Sequence, residues 1–356
     1  MNINRYCDNP IITPGTVLAS RKDFQVIGAF NAGVTVFNGE TILILRVAER
    51  PINSDDKSIK VPFLDDNLNL KVKTFNKNDE NYDFGDSRAI HKKGNVAAFE
   101  YLTSISHFRL ARSTDGEHFK VDEKPFIFPA NKYESFGIED PRVTKIDDSY
   151  YITYSAVSKF GIVVMLSSTD DFKTFNNLGA IFATENKDVA LFPEKINENY
   201  YALNRPISPS IGNAVIWISE STNLLHWGNH KVLIETRDGK WDCKKIGAGS
   251  PPLKTDLGWL EFYHGVDDND RYCMGALLLD INDPSKILAR SSEPILEPIM
   301  EYETKGFFGN VVFSCGTIVN HGVIHMYYGV SDDSMAYAQF KLKDVLDSME
   351  YLKPKK

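Results

Sequence analysis

One pattern repeats along this chain and decides most of what it can fold into. Leu110-Ala111-Arg112-Ser113-Thr114-Asp115-Gly116 runs a short strand into a polar turn and then reaches Phe119. Leu166-Ser167-Ser168-Thr169-Asp170-Asp171 does the same and leads to Phe172 and Phe175. Ile218-Ser219-Glu220-Ser221-Thr222-Asn223 is a third copy, closed by Trp227, and residues 277–283 carry a weaker fourth. Before these copies lie a strand, a turn of Gly, Asn or Asp, and a second strand rich in Tyr or Trp, as in residues 143–155, 191–203, 252–263 and 311–328. β-Branched and aromatic runs broken by such turns read as antiparallel strands. A spacing of roughly 50 to 60 residues lies near the repeat length of propeller blades. The chain is therefore expected to be all-β, with blades of a β-propeller. Helical periodicity is clear only over residues 341–353, where Val345, Leu346 and Met349 share a side, so one short C-terminal helix is expected.

Residues 30–47 begin a further repeat, and its closing part is residues 106–115. The polar, irregular tract from Ala48 to about Phe99 then reads as an insertion in the first blade. That gives five blades in a single domain over residues 1–356; six would follow if the tract formed a blade of its own.

The formal net charge of -8 argues against nucleic acid or an anionic membrane as the main partner. No window is long and apolar enough to span a bilayer, and the first residues carry no apolar signal segment. Cys7, Cys243, Cys273 and Cys315 form no CxxC pair and have no histidines spaced around them as zinc ligands. Free thiols, a cytoplasmic location, no metal and no cofactor are expected.

Chemistry concentrates at Gly137-Ile138-Glu139-Asp140-Pro141-Arg142, where the chain enters a β-meander. Alternation along a strand would point Asp140 and Arg142 one way and Glu139 the other. Pro141 lacks an N–H and so marks a strand start or an edge. An aspartate fixed beside a cation suits acid–base work, and a structural Asp140–Arg142 ion pair is the bland alternative. Propellers carry functional groups where their innermost strands begin. The corresponding positions here are Asn31, Asp140, residues 191–195, Gly249-Ser250 and Asn310, a mostly polar ring that favours a functional Asp140.

A series of motifs then carries a resemblance. It runs through Phe30-Asn31-Ala32-Gly33-Val34, Leu45-Arg46-Val47-Ala48-Glu49-Arg50 and Phe108-Arg109-Leu110-Ala111-Arg112. It continues with Ile138-Glu139-Asp140-Pro141-Arg142, Leu191-Phe192-Pro193-Glu194-Lys195 and Ile246-Gly247-Ala248-Gly249-Ser250-Pro251-Pro252. Gly258-Trp259-Leu260 with Tyr263-His264-Gly265, and Tyr327-Tyr328-Gly329 with Asp332, complete it. In this order, over nearly the whole chain, the motifs resemble glycoside hydrolase family 130. The run from Arg46 to Pro51 is most similar to its β-1,2-mannobiose and β-1,2-oligomannan phosphorylases.

The resemblance implies a five-bladed β-propeller and inverting phosphorolysis of β-mannosides, giving α-mannose 1-phosphate and an acceptor sugar. It implies Asp140 as the general acid, acting through the 3-hydroxyl of the mannosyl unit, with phosphate as nucleophile and co-substrate. Glu139 is then a strand-end structural acid. Asn31, Arg46 and Asp332 match positions that hold the mannosyl unit, with Arg109 and Arg142 as further candidates; an amide, guanidinia and a carboxylate suit hydroxyls that both donate and accept. Lys195, Arg205 and His264 are the candidates for phosphate, with Lys245 a fourth. Family members are commonly homo-oligomers. A β-mannoside hydrolase on the same scaffold, a phosphorylase of β-1,4-linked mannosides and a non-catalytic carbohydrate-binding propeller remain as alternatives. Linkage and acceptor choice are expected to rest on loops, notably residues 52–84 and 298–306.

Overall fold

A computed structural model describes residues 1–53, 55–207 and 211–352. The structure is all-β, with α-helix only at Glu301–Thr304 and Leu342–Asp347 among the described residues. The second of these lies within the helix expected over 341–353; it buries Val345, and the chain is extended again at Glu350–Tyr351. Lys353 lies outside the described residues.

Five antiparallel sheets of four or more strands follow one another along the chain. The first orders Phe24–Phe37, Glu40–Pro51, Ile105–Ser113 and Lys120–Val121. The second is Gly137–Ile146, Ser149–Ser158, Gly161–Thr169 and Asn176–Phe182. The third is Asn186–Leu191, Tyr200–Pro206, Ile216–Ser221 and Gly228–Ile234. The fourth runs Lys245–Ala248, Gly258–Val266, Tyr272–Leu279 and Ile287–Arg290, with Glu350–Tyr351 added outside. The fifth runs Val312–Asn320, Val323–Val330 and Ser334–Lys341, and the N-terminal strand Asn4–Arg5 joins its free edge. Between the second and third strands of the first sheet, the chain builds a hairpin of Ser58–Leu64 with Leu70–Asn76. It adds a small sheet of Tyr82–Asp83, Ala89–Lys92 and Asn95–Leu102. The strand Glu40–Pro51 itself runs past Ala48 and pairs Glu49 with Ile105.

Tight turns set these registers. Asn38-Gly39 and His321-Gly322 each place two successive residues at positive φ, the geometry that matches the twist of a two-residue hairpin. Cores lie between sheets rather than within them. Ile44, Phe108, Ile152 and Tyr154 join the first sheet to the second, and Leu166, Val189 and Ala202 join the second to the third. Leu203 and Trp259 join the third to the fourth, Leu278 and Met326 the fourth to the fifth, and Leu43 and Tyr337 the fifth to the first. Each fully buried aliphatic or aromatic side chain adds about 1.5–3 kcal/mol, so every sheet is held from both faces. The first strand of each sheet is thereby fixed as a rigid platform for polar groups at one end.

Candidate active site

A cavity of about 410 Å³ opens where these first strands meet. Its floor is built by a repeated irregularity. The pairing register slips between Phe30 and Gly33, between Glu139 and Arg142, and between Lys187 and Ala190. Within each slip sits a polar residue with left-handed backbone: Asn31 at φ 47°, Asp140 at φ 51° and Asp188 at φ 55°. Asn and Asp tolerate this region better than most residues, and a bulge re-aims the side chains around it. Simple alternation therefore fails here, and Glu139 and Asp140 both line the cavity. Pro141 lies in the bulge of an edge strand, where no ladder hydrogen bond is lost.

Asp140 is clamped through one oxygen. Its Oδ1 accepts from Asn31 Nδ2 at 2.9 Å and from Arg46 Nη1 at 2.8 Å. Arg46 Nη2 donates to Glu139 Oε1 at 2.8 Å, and its guanidinium lies 4.7 Å from the Phe30 ring centroid. Lys187 approaches Glu139 Oε2 at 3.5 Å. Burial pushes the Asp140 carboxyl up, but Arg46, Lys187 and Arg142 outweigh it and hold the group below the usual range. Asp332 behaves oppositely. Burial, reinforced by the like charges of Asp140 and Glu139 and opposed by Arg46 and Arg88, pushes it up to about 6. Gly329 leaves room for this arrangement, since a Cβ there would fall 2.0 Å from Asn31 Oδ1.

The adjoining wall is cationic. Lys187, Arg205, Lys245 and His264 line it around the buried Asp188. Arg205 Nη2 is 3.0 Å from Asp188 Oδ2, yet the two are not aligned as a hydrogen bond, and Asp188 Oδ2 has no such partner. Arg205 Nη1 meets His264 Nε2 at 3.4 Å. A guanidinium can only donate, so Nε2 accepts and the ring proton sits on Nδ1. Burial, with the neighbouring Arg205, Arg142 and Lys245 outweighing Asp188, lowers His264 to about 3, so the ring is neutral near pH 7. Burial and the nearby Arg205 and Lys187 lower Lys245 to about 8. Arg205 Nε and His264 Nδ1 are buried donors without a hydrogen-bond partner among the described residues. Unfilled buried donors are costly, and the charged side chains of Lys187, Arg205 and Lys245 in the same wall suit an anion.

Of the residues picked out in the sequence, Asn31, Arg46, Asp140, Arg205, His264, Asp332 and Lys245 meet in this one cavity. Arg142 lies beneath it. Its guanidinium donates to the carbonyls of Asp140 at 2.9 Å, Ala248 at 2.9 Å and Gly249 at 2.8 Å, and to Asp188 Oδ1 at 3.0 Å. It ties the second, third and fourth sheets together and is buried. Arg109 is buried elsewhere in the first sheet, bonded to Glu49 at 3.1 Å and His107 at 3.1 Å. Lys195 is exposed in the turn beyond the third inner strand, over the Tyr200 ring. The structure brings neither Arg109 nor Lys195 to the cavity.

Lys187, Asp188 and Arg88 were not singled out in the sequence. A signal for the first two exists. Lys187-Asp188 precedes Val189-Ala190-Leu191 as Glu139-Asp140 precedes Pro141-Arg142-Val143, a charged residue and an aspartate entering a strand. Arg88 lies in the irregular tract of the first sheet and carries no such cue.

The glycoside hydrolase family 130 model, described as β-1,4-mannooligosaccharide phosphorylase, matches residues 95–351. The chain belongs to glycoside hydrolase family 130. It is 51% identical over 351 residues to the β-1,2-mannobiose phosphorylase of Listeria innocua, covering 98% of this chain and 99% of that one. A 1,2-β-oligomannan phosphorylase from a Thermoanaerobacter species is 37% identical over 268 residues, 74% of this chain and 88% of that protein. The solved structure of the Listeria innocua enzyme in complex with β-1,2-mannobiose superposes with a TM-score of 0.95 over 98% of this chain and 99% of that chain.

Proposed function

We propose that this protein phosphorolyses β-1,2-mannobiose, and short β-1,2-mannooligosaccharides, with inversion, giving α-mannose 1-phosphate and a shorter acceptor. The observation that carries this is the junction of two half-sites. A carboxyl clamped by Asn31 and Arg46 shares one cavity with a wall of Lys187, Arg205, Lys245 and His264. The near-complete likeness to the Listeria innocua enzyme supports the β-1,2 linkage. Phosphate, held by the cations, attacks the anomeric carbon as its bond to the acceptor oxygen breaks. Asp140 supplies the proton that the leaving oxygen needs, relayed by the 3-hydroxyl of the mannosyl unit. Asn31, Arg46 and Asp332 hold that unit. Phosphate replaces the water of inverting hydrolysis, so no second carboxylate is required as base.

The fold reading belongs to the same proposal. The five sheets act as blades of one closed propeller over residues 1–356, with the tract near 48–99 as an excursion from the first blade. Packing of each sheet on two others, the fifth on the first included, supports closure, as does the strand Asn4–Arg5 completing the last sheet. Free thiols at Cys7, Cys243, Cys273 and Cys315 suit a cytoplasmic enzyme. No helix among the described residues is long and apolar enough to cross a membrane. We place the protein as a homo-oligomer in the cytoplasm, with phosphate as co-substrate and no resident cofactor.

The test is incubation with β-1,2-mannobiose with and without phosphate, with products identified by NMR. Mannose and α-mannose 1-phosphate should appear only with phosphate. Equal release of free mannose in its absence would make the protein a hydrolase, and no release in either case would leave only sugar binding. A second expectation separates the anion-binding cations. Lys187→Ala and Arg205→Ala should each raise the KM for phosphate by about tenfold or more, since a charge-assisted hydrogen bond contributes ~1.5–3 kcal/mol. Lys195→Ala should leave it unchanged. A phosphate KM that responds to Lys195 and not to Lys187 would remove the anion from this wall.

A further inference from the structure

We propose that Arg88, held by Asp86, grips the acceptor sugar at the cavity mouth and sets which acceptor is used; this rests on the phosphorylase reading above. The family match begins at residue 95, so Asp86 and Arg88 lie outside it. They nevertheless line the cavity, opposite Phe308 of the segment that precedes the fifth sheet. Asp86 Oδ1 accepts from the Arg88 backbone N–H at 2.8 Å and from Nε at 3.1 Å, and Oδ2 accepts from Nη2 at 3.1 Å. This fork fixes the plane of the guanidinium and leaves its Nη1 edge outside the pair. The guanidinium also lies 5.3 Å from the Phe308 ring centroid.

Depth decides what Arg88 can meet. The side chains of Arg46 and Asp140 are 15% and 13% exposed, whereas that of Arg88 is 52% exposed. The mannosyl unit must reach Asp140 and the cationic wall, so it occupies the deep end. The leaving sugar hangs from the oxygen that Asp140 serves and extends towards the opening. There it meets the Arg88–Asp86 pair. Neighbouring hydroxyls of a hexose donate and accept at once, and a fixed guanidinium beside a carboxylate answers both roles. Phe308 offers an apolar surface to the C–H side of the ring.

The experiment is steady-state kinetics of Arg88→Ala in both directions, with Arg88→Lys alongside and thermal unfolding to confirm the fold. In synthesis, the KM for acceptor mannose should rise by about tenfold or more, the size of one lost charge-assisted hydrogen bond. The KM for α-mannose 1-phosphate, and the KM for phosphate in the reverse direction, should stay within about twofold of wild type. Arg88→Lys should not restore the acceptor KM, since an ammonium cannot form the fork. Discrimination between mannose and other hexose acceptors should fall in both variants. If the phosphate or α-mannose 1-phosphate KM moves instead, Arg88 serves the deep end and the proposal is overturned. No change in any constant reduces the pair to a surface contact and overturns it equally. A wild-type protein that forms no α-mannose 1-phosphate would instead refute the phosphorylase reading beneath it.

Discussion

Asp140→Asn is expected to fold normally and to lose roughly a hundred- to ten-thousand-fold in turnover, the usual contribution of a general acid. The fold should survive because the position needs a residue that accepts φ near 51°, and Asn does so as readily as Asp. The amide oxygen can still accept from Asn31 and Arg46, and Arg46 keeps Glu139 as its counter-charge. Only the proton source is lost. An aryl β-mannoside, whose phenolate leaves without a proton, should therefore lose far less rate in the variant than mannobiose does. Equal losses on both substrates would make Asp140 a binding group. The charge around Asp140 adds a pH signature. In the free protein, Arg46, Lys187 and Arg142 keep the carboxyl below its usual range despite burial, so the proton is held weakly. Phosphate bound at Lys187 and Arg205 cancels part of that field, and the carboxyl then titrates higher. An acid is active below its pKa, so activity falls as pH rises through it. The falling limb of kcat should thus lie at higher pH than that of kcat/KM for the mannoside at low phosphate. Limbs that coincide, or lie in the reverse order, would show that bound phosphate does not set this group.

Much of the fold was legible because strand alternation and turn chemistry are local. The repeats ending at Phe119, Phe172 and Trp227 gave the all-β class, and Glu139-Asp140 marked the cavity floor. What stayed hidden depends on backbone geometry or on distant partners. The third ring position was expected at residues 191–195, whereas the cavity takes Lys187 and Asp188 from the bulge at the start of that strand. A bulge adds a residue to one strand only and re-aims the side chains around it, which the apolar run Val189-Ala190-Leu191 does not announce. Lys195, taken up with the motif Leu191-Phe192-Pro193-Glu194, ends in an exposed turn instead. Arg109 stands out in an apolar strand, but its partner Glu49 is 60 positions away in sequence, on the paired strand. Arg88 reaches the cavity only because the tract that carries it folds back over the mouth, which no local periodicity encodes.

Arg142→Met should be the most destabilising single change at this site. Its guanidinium is 1% exposed and joins the second sheet, through Asp140, to Asp188 of the third and to the chain at Ala248 and Gly249 of the fourth. Methionine fills similar volume but donates nothing. The carbonyls lose their donors, and Asp188, buried and held low by Arg205 and Arg142, loses one of its counter-charges. Breaking a buried ion pair from one side costs about 3–5 kcal/mol. Arg21→Ala removes an ion pair with Asp23 in which both side chains are largely exposed, so that variant should leave the unfolding transition almost unmoved. Equilibrium denaturation of the two variants beside wild type measures the contrast. Arg142→Met should also depress turnover in whatever fraction stays folded, because Asp140 would lose the anchor on its own carbonyl. An Arg142→Met protein as stable as Arg21→Ala would mean that the inner strands hold their bulges without this clamp, and that the left-handed backbone at Asp140 and Asp188 is secured by packing alone.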